Sequence, residues 1–286
     1  MQSVLHAAAA GVVLALLGST VMLGQTGATP SAAPGTGRTA DGQPDIQGFW
    51  ATDAYAADME TGLPDDETAT LQAQTVDRSK EKSLVTDPAD GRIPYQPWAQ
   101  QRRVSIPTFR RGETSRGKAA TARDIRPRTF CLHGTPRNMT TDFQVVQTPD
   151  RIVLMWEFNH AYRMIRLGNA PALPATVKLA MGDSRGRWEG NTLVVETANL
   201  NDWDWFDYTG TFHSDRMTLV ERFTLVDAKT INYQATVTDP VVFTRPWTYA
   251  FQLKRTRMAG DGYELLEHAC VEGERGVAAL LEEAKQ

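Results

Sequence analysis

From Asp142 onward the chain is a succession of short segments rich in Val, Ile, Thr, Tyr and Trp, each bounded by turn residues: "FQVVQ", "RIVLMWEF", "AYRMIRL", "GRWE", "NTLVVETA", "RMTLVERFTLV", "TINYQATVT", "WTYAFQLK" and "YELLEHAC". β-Branched and aromatic residues at this density suit a pleated surface, and their apolar members recur with the period of a strand rather than of a helix. The connections are short. Asn159-His160 links the second segment to the third, Glu189-Gly190-Asn191 forms a bend, and "LVDAKTINY" holds another turn. Hairpin after hairpin predicts an antiparallel meander, and a sheet of about eight to ten strands loses its exposed edges by closing on itself. The expected fold is all-β: a meander closed into a lipocalin-like (calycin-type) barrel over 142–272. The expected remainder is a signal peptide over 1–28, a linker over 29–44, an extended arm over 45–141 that wraps the barrel, and a short C-terminal helix or tail over 273–286.

Alternation assigns the faces. One face of "RMTLVERFTLV" carries Met217, Leu219, Glu221, Phe223 and Leu225, and one face of "TINYQATV" carries Ile231, Tyr233, Ala235 and Val237. In "WTYAFQL" the apolar face is Trp247, Tyr249, Phe251 and Leu253. Glu221 is the exception among these, and a carboxylate on an apolar face is costly unless it is paired or protonated. Arg163 shares its strand face with Ile165 and Leu167, so the two charges are expected to meet inside. Such a pair reads as structural or as part of a site. The competing register puts Glu221 in water and Arg222 inside.

"NDWDWFDYTGTFHSD" (Asn201 to Asp215) falls between two strands, which makes it a loop at one barrel end, yet it is too apolar to sit in water unaided. Trp203, Trp205, Phe206 and Phe212 are expected to cap or line the mouth, with Asp204, Asp207, His213 and Asp215 as polar groups. Ligand sites are mostly apolar with a few placed polar groups. His213 is the candidate general acid or base, oriented by Asp207 or Asp204. Arg163 would stabilise negative charge, and Glu221 and Tyr162 are further catalytic candidates. Trp156, Trp203, Trp205, Phe212, Arg222, Trp247 and Tyr249 are the expected ligand-binding residues. The alternative is that the Trp residues plug the barrel and the Asp residues cap turns.

Charge narrows the partners. The formal net charge is −4, and the basic run from Arg102 to Arg128 is confined to the arm, so a nucleic-acid reader is not expected. No His pair has metal-ligand spacing, and neither a phosphate loop nor a dinucleotide fingerprint is present, so neither metal nor cofactor is expected. An apolar run from Ala7 to about Leu23, followed by small residues, reads as a secretory signal or as an uncleaved anchor. Either places the rest outside the cytoplasm, in the periplasm or medium, with the membrane met only through that segment. There an isolated pair of cysteines, Cys131 and Cys270, is most simply a disulfide.

"CLHGTPR", "GDSRGRWEGNTLVVET", "FHSDRMTLVERF" and "DPVVFTRPW" together resemble a large group of secreted bacterial proteins, over roughly Phe130 to Cys270. Asn191 stands where many members of that group carry Asp. The resemblance brings no activity with it. It implies that His213, Ser214, Glu221, Arg222 and Trp247 belong to a shared framework. Three functions are therefore expected as rivals: cofactor-free acid–base chemistry (a lyase, isomerase or cyclase step) on an apolar or aromatic small molecule, a lipocalin-like carrier or sensor without turnover, and a structural envelope protein.

Overall fold

The structure is a computed structural model and describes residues 37–52, 59–60, 83–105, 122–124, 131, 143–207, 209–256 and 264–266. Those residues hold strands β1 (Gly48–Thr52), β2 (Val85–Asp87), β3 (Phe143–Thr148), β4 (Arg151–Trp156), β5 (Tyr162–Leu167), β6 (Asp183–Glu189), β7 (Thr192–Ala198), β8 (Thr218–Asp227), β9 (Thr230–Thr238) and β10 (Trp247–Arg255), with helix α1 (Pro97–Ser105) between β2 and β3. The strands pair in the order β1-β3-β4-β5-β6-β7-β8-β9-β10, and β10 pairs back onto β1. The sheet is thus a closed barrel, and β2 adds to the first half of β10. Closure is the device by which an all-β chain removes its unpaired edges.

Two features depart from the expected meander. Trp50 pairs with Phe143 on one side and Arg255 on the other, so "GFWAT", which reads from sequence as an opening strand or edge segment at the start of the arm, is the strand that closes the barrel. β5 and β6 run parallel, with Ile165 opposite Ser184 and Arg166 opposite Arg185. A hairpin reverses the chain, whereas residues 168–182 carry it back to the end it left, and that produces a parallel neighbour. The barrel is therefore mixed rather than an all-antiparallel meander.

The predicted turns form. Glu189 faces Thr192, which leaves Gly190-Asn191 as a two-residue loop. Gly190 has φ 62°, a left-handed conformation that a residue without Cβ adopts at little cost. The β8–β9 turn carries a register shift between Leu225 and Asp227. The β4–β5 link is longer than the expected two residues: a 3₁₀ turn spans Phe158–His160, with His160 exposed.

The interior follows the strand period. Leu219, Glu221 and Phe223 of β8 are buried, as are Ile231, Tyr233, Ala235 and Val237 of β9 and Trp247, Tyr249 and Leu253 of β10. Gly186 is an inward residue of β6 that has no room for a side chain, since a Cβ there would lie 2.8 Å from Ile165 Cγ2. The lumen expected to be hollow is filled by the chain's own side chains. Trp50, Trp156, Trp247, Tyr233, Tyr249, Phe143 and Phe206 are all essentially fully buried. A void of about 10 Å³ remains within the lumen, lined by apolar residues of nearly every strand including Trp50, Ile165, Phe223 and Leu253, and it has room for about one water.

α1 starts at Pro97, whose missing N–H is no loss in a first helical turn. It buries Ala99 and is tied down by its basic end: Arg103 pairs with Glu60 at 2.7 Å and Arg102 with Asp124 at 2.9 Å. The signal segment, the C-terminal tail and most of the arm lie outside the described residues. Among the described residues no helix is long and apolar enough to cross a membrane.

Candidate functional site at the capped end of the barrel

Two buried polar clusters lie along the barrel. The first occupies its middle. Arg163 (1% exposed) and Glu221 (0%) meet as a bidentate ion pair, with Arg163 Nη1 donating to Glu221 Oε1 at 2.9 Å and Nη2 to Oε2. Arg163 Nε donates to Ser184 Oγ at 3.0 Å and Nη2 to Thr197 Oγ1 at 2.7 Å. Tyr233 Oη donates to Glu221 Oε1 at 2.9 Å. Burial opposes the charged guanidinium, but the Glu221 carboxylate outweighs it and holds Arg163 above its ordinary pKa. Burial, followed by the Glu221 charge, pushes Tyr233 well above the usual phenol range. Every member of this circuit has its partners, and such a network rigidifies a core.

The second cluster lies where Asn199–Arg216 and Asp239–Pro246 fold across the barrel end. Asp207 organises the first loop. Its Oδ1 accepts from Thr209 N, Thr209 Oγ1 and Thr211 N, and its Oδ2 from Met59 N and Thr211 Oγ1. Asp239 ties the loops together, accepting from Ser214 N at 2.6 Å, Ser214 Oγ at 2.8 Å and Val241 N at 3.0 Å. Beneath them Phe206 is the hub of an aromatic cluster. Its ring lies 5.6 Å from His213 and 5.5 Å from Trp247, both edge-on, and Phe243 reaches Trp247 at 5.5 Å and Tyr95 at 5.4 Å.

His213 is 3% exposed. Its Nδ1 lies 3.0 Å from the Ser214 carbonyl. A carbonyl only accepts, so Nδ1 carries the proton and Nε2 presents a bare lone pair in the neutral ring. Burial lowers the His213 pKa, against the Ser214 carbonyl and the charges of Asp204, Asp239 and Asp202. At this end His213 Nε2 and Trp247 Nε1 are buried without a hydrogen-bond partner. Burial also raises the Tyr95 phenol far above its usual range, against the Arg103 guanidinium 5.3 Å over its ring. Each such atom forgoes the hydrogen bond it makes in water, and a buried orphan calls for an explanation.

Outside the cluster the surface is aromatic. Trp98 on α1 is 49% exposed and Trp203 46%. Trp98 packs on half-buried Phe212 at 5.9 Å, and Arg123 lies 5.1 Å over Trp203 while bonding Asp202 at 2.6 Å. Trp205 is buried, bridged to Phe212.

The sequence-predicted residues divide accordingly. The Arg163–Glu221 encounter forms as expected. His213, Trp205, Phe212, Trp247 and Asp204 belong to the capped end, and Tyr249 lies between the clusters, 6.3 Å from Phe206 and 3.4 Å from the Tyr233 hydroxyl. Asp207 does not orient His213, because its two oxygens are committed to loop donors. Tyr162 is 65% exposed, since the strand period that turns Arg163 inward turns its neighbour out. Arg222 faces out likewise and bonds Glu189 at 3.1 Å, which dismisses the register that placed it inside. Trp156 is buried against Phe143 at 5.7 Å, on the β3–β4 side. Cys131 is half-buried and Cys270 lies outside the described residues. Sequence reasoning gave no site role to Tyr95 and Trp98, which read only as apolar anchors of the arm, nor to Asp239 and Phe243. Asp239-Pro240 is a turn signal that marks the second loop. Among the described residues no group of His, Cys, Asp and Glu could hold a metal ion. Comparison of the chain with protein-family models, with curated proteins and with solved structures returns no match.

Proposed function

We propose that this chain binds an apolar or aromatic small molecule at the capped end of its barrel, and that His213 acts there as a general base. The observation that carries the reading is the His213 ring: Nδ1 is fixed by the Ser214 carbonyl, Nε2 is bare, and burial keeps the imidazole neutral. A base needs an available lone pair near the operating pH and a fixed orientation. Trp98, packed on Phe212, and Trp203 expose apolar rings, and they are the surface this reading gives to the ligand. Export before folding belongs to the same reading, with a Cys131–Cys270 disulfide; Cys131 is not a free thiol.

A panel of small aromatic compounds, titrated against the exported protein and followed by tryptophan fluorescence, tests it. Binding is expected to weaken about tenfold or more in Trp98→Ala and Trp203→Ala. Where a bound compound is also converted, His213→Ala should abolish conversion and leave affinity largely intact. A His213→Ala variant that only weakens binding favours the carrier. A second reading, a purely structural barrel, is favoured by the filled interior, and it stands if no compound binds.

A further inference from the structure

The orphaned atoms at the capped end specify the polarity of what binds there, an inference that rests on the site proposed above. His213 Nε2 offers a lone pair and seeks a proton donor. Trp247 Nε1–H is a donor only and seeks an oxygen. Both rings pack edge-on to Phe206, at 5.6 and 5.5 Å from its ring, so the two requirements arise around one aromatic side chain. The charges nearby argue against an ionic ligand. Asp207 and Asp239 are buried carboxylates saturated by N–H and O–H donors, and with Asp204 they set a negative field that repels an anion. The guanidiniums at hand are already engaged, Arg103 by Glu60 and Arg163 by Glu221. A cation, in turn, would lie against Trp247 N–H, which points a positive hydrogen at it.

We propose that the ligand class is a neutral hydroxylated aromatic, a phenol or aryl alcohol, whose hydroxyl proton is donated to His213 Nε2 and whose oxygen accepts from Trp247 Nε1–H. A hydroxyl is the smallest group that is donor and acceptor at once, and its ring would stack among Phe206, Phe212 and Trp205. Sites built to hydrogen-bond a hydroxyl discriminate strongly against the analogue that lacks it, because their own polar atoms are otherwise left unpaired.

The test is calorimetric titration of the full chain with phenol, toluene, benzoate and benzylammonium. Phenol is expected to bind at least tenfold more tightly than toluene, and the two ions not measurably. His213→Asn keeps a donor for the Ser214 carbonyl but deletes the Nε2 acceptor. It should lower phenol affinity to that of toluene and leave toluene unchanged. Should the variant not fold, ¹⁵N resonances of the wild-type histidine rings serve instead: the pyridine-type Nε2 signal of His213 should shift on phenol addition and stay put with toluene. Toluene binding as well as phenol, or benzoate binding better, overturns the hydroxyl assignment while the site stands. Failure of every probe overturns both.

Discussion

The middle of the barrel and its capped end are both buried, aromatic and polar, yet they treat their polar atoms oppositely. In the middle, the Arg163 nitrogens and both Glu221 oxygens are partnered by each other and by Ser184, Thr197 and Tyr233. At the capped end His213 and Trp247 each hold a buried atom without a partner, beside loops in which Asp207 and Asp239 are saturated. Folding tolerates a buried charge when its circuit closes, and it tolerates an open one where something other than folding uses it. The closed circuit therefore reads as architecture and the open one as a site. Four substitutions or titrations break or sharpen that contrast.

The largest effect belongs to the closed circuit. Glu221→Leu strands a guanidinium that is 1% exposed, and breaking a buried pair this way costs about 3–5 kcal/mol. Arg163→Met combined with Glu221→Leu removes both charges and should recover much of that loss, with a coupling well beyond additivity. Urea unfolding of the single and double variants measures it. If Glu221→Leu alone is near neutral, the circuit is not what holds the middle together.

The same contrast was half legible in the sequence. A charge among apolar residues at strand spacing is conspicuous, so Glu221 and Arg163 announce themselves, whereas the outward placement of Arg222 and Tyr162, against the site roles expected of them, came only with the register. Pairing between distant segments is not carried by any local pattern. Hence Gly48–Thr52 as the closing strand and the parallel β5–β6 pair were invisible, as was the packing of Tyr95 on Phe243. The loop from Asn201 to Asp215 was recognisable as the cap from its rings and carboxylates. What Asp207 does there was not, because an Asp followed by Thr209 and Thr211 suits a turn and a catalytic dyad equally well. An unpartnered N–H such as that of Trp247 cannot be seen before its surroundings exist.

Asp207→Ala has the next largest effect. It removes the acceptor of Met59 N, Thr209 N and Thr211 N, with two hydroxyls besides, and unsatisfied buried donors cost about 1–3 kcal/mol. Asp207→Asn, which retains an acceptor oxygen, should lose less. Both should melt earlier without changing the pH at which ligand binding falls off. A displaced pH profile would restore Asp207 to the role of orienting His213.

Third comes acidification. Burial lowers the folded-state pKa of His213 below its unfolded value of about 6.5. The unfolded chain therefore binds the proton more readily, and the stability this ring contributes is complete above pH of about 6.5 and lost as pH falls through the lowered folded value. Thermal unfolding from pH 7.5 to pH 5 should show the midpoint dropping in the wild type and dropping less in His213→Asn. Exposed Asp150, whose carboxyl is lowered to about 2 by its Arg151 hydrogen bond, then Thr148, stays ionised throughout that range and does not confound the difference. Equal slopes in the two proteins would place His213 outside the linkage.

The smallest effect is the most telling one. At pH 7.5 His213→Asn should leave the unfolding midpoint almost where it was, within about 1 kcal/mol, because Asn can still donate to the Ser214 carbonyl and the deleted Nε2 has no bond to lose. Glu221 and His213 are both buried and polar, and each is substituted by a residue of similar or smaller bulk. They differ in what the lost atoms leave behind, a stranded guanidinium at Glu221 and no broken bond at His213. Should the His213 variant unfold as readily as the Glu221 variant, Nε2 is bonded to something that stabilises the fold, and the capped end is a second piece of architecture. If instead its stability is unchanged while small-molecule binding is lost, the open circuit is kept for the ligand.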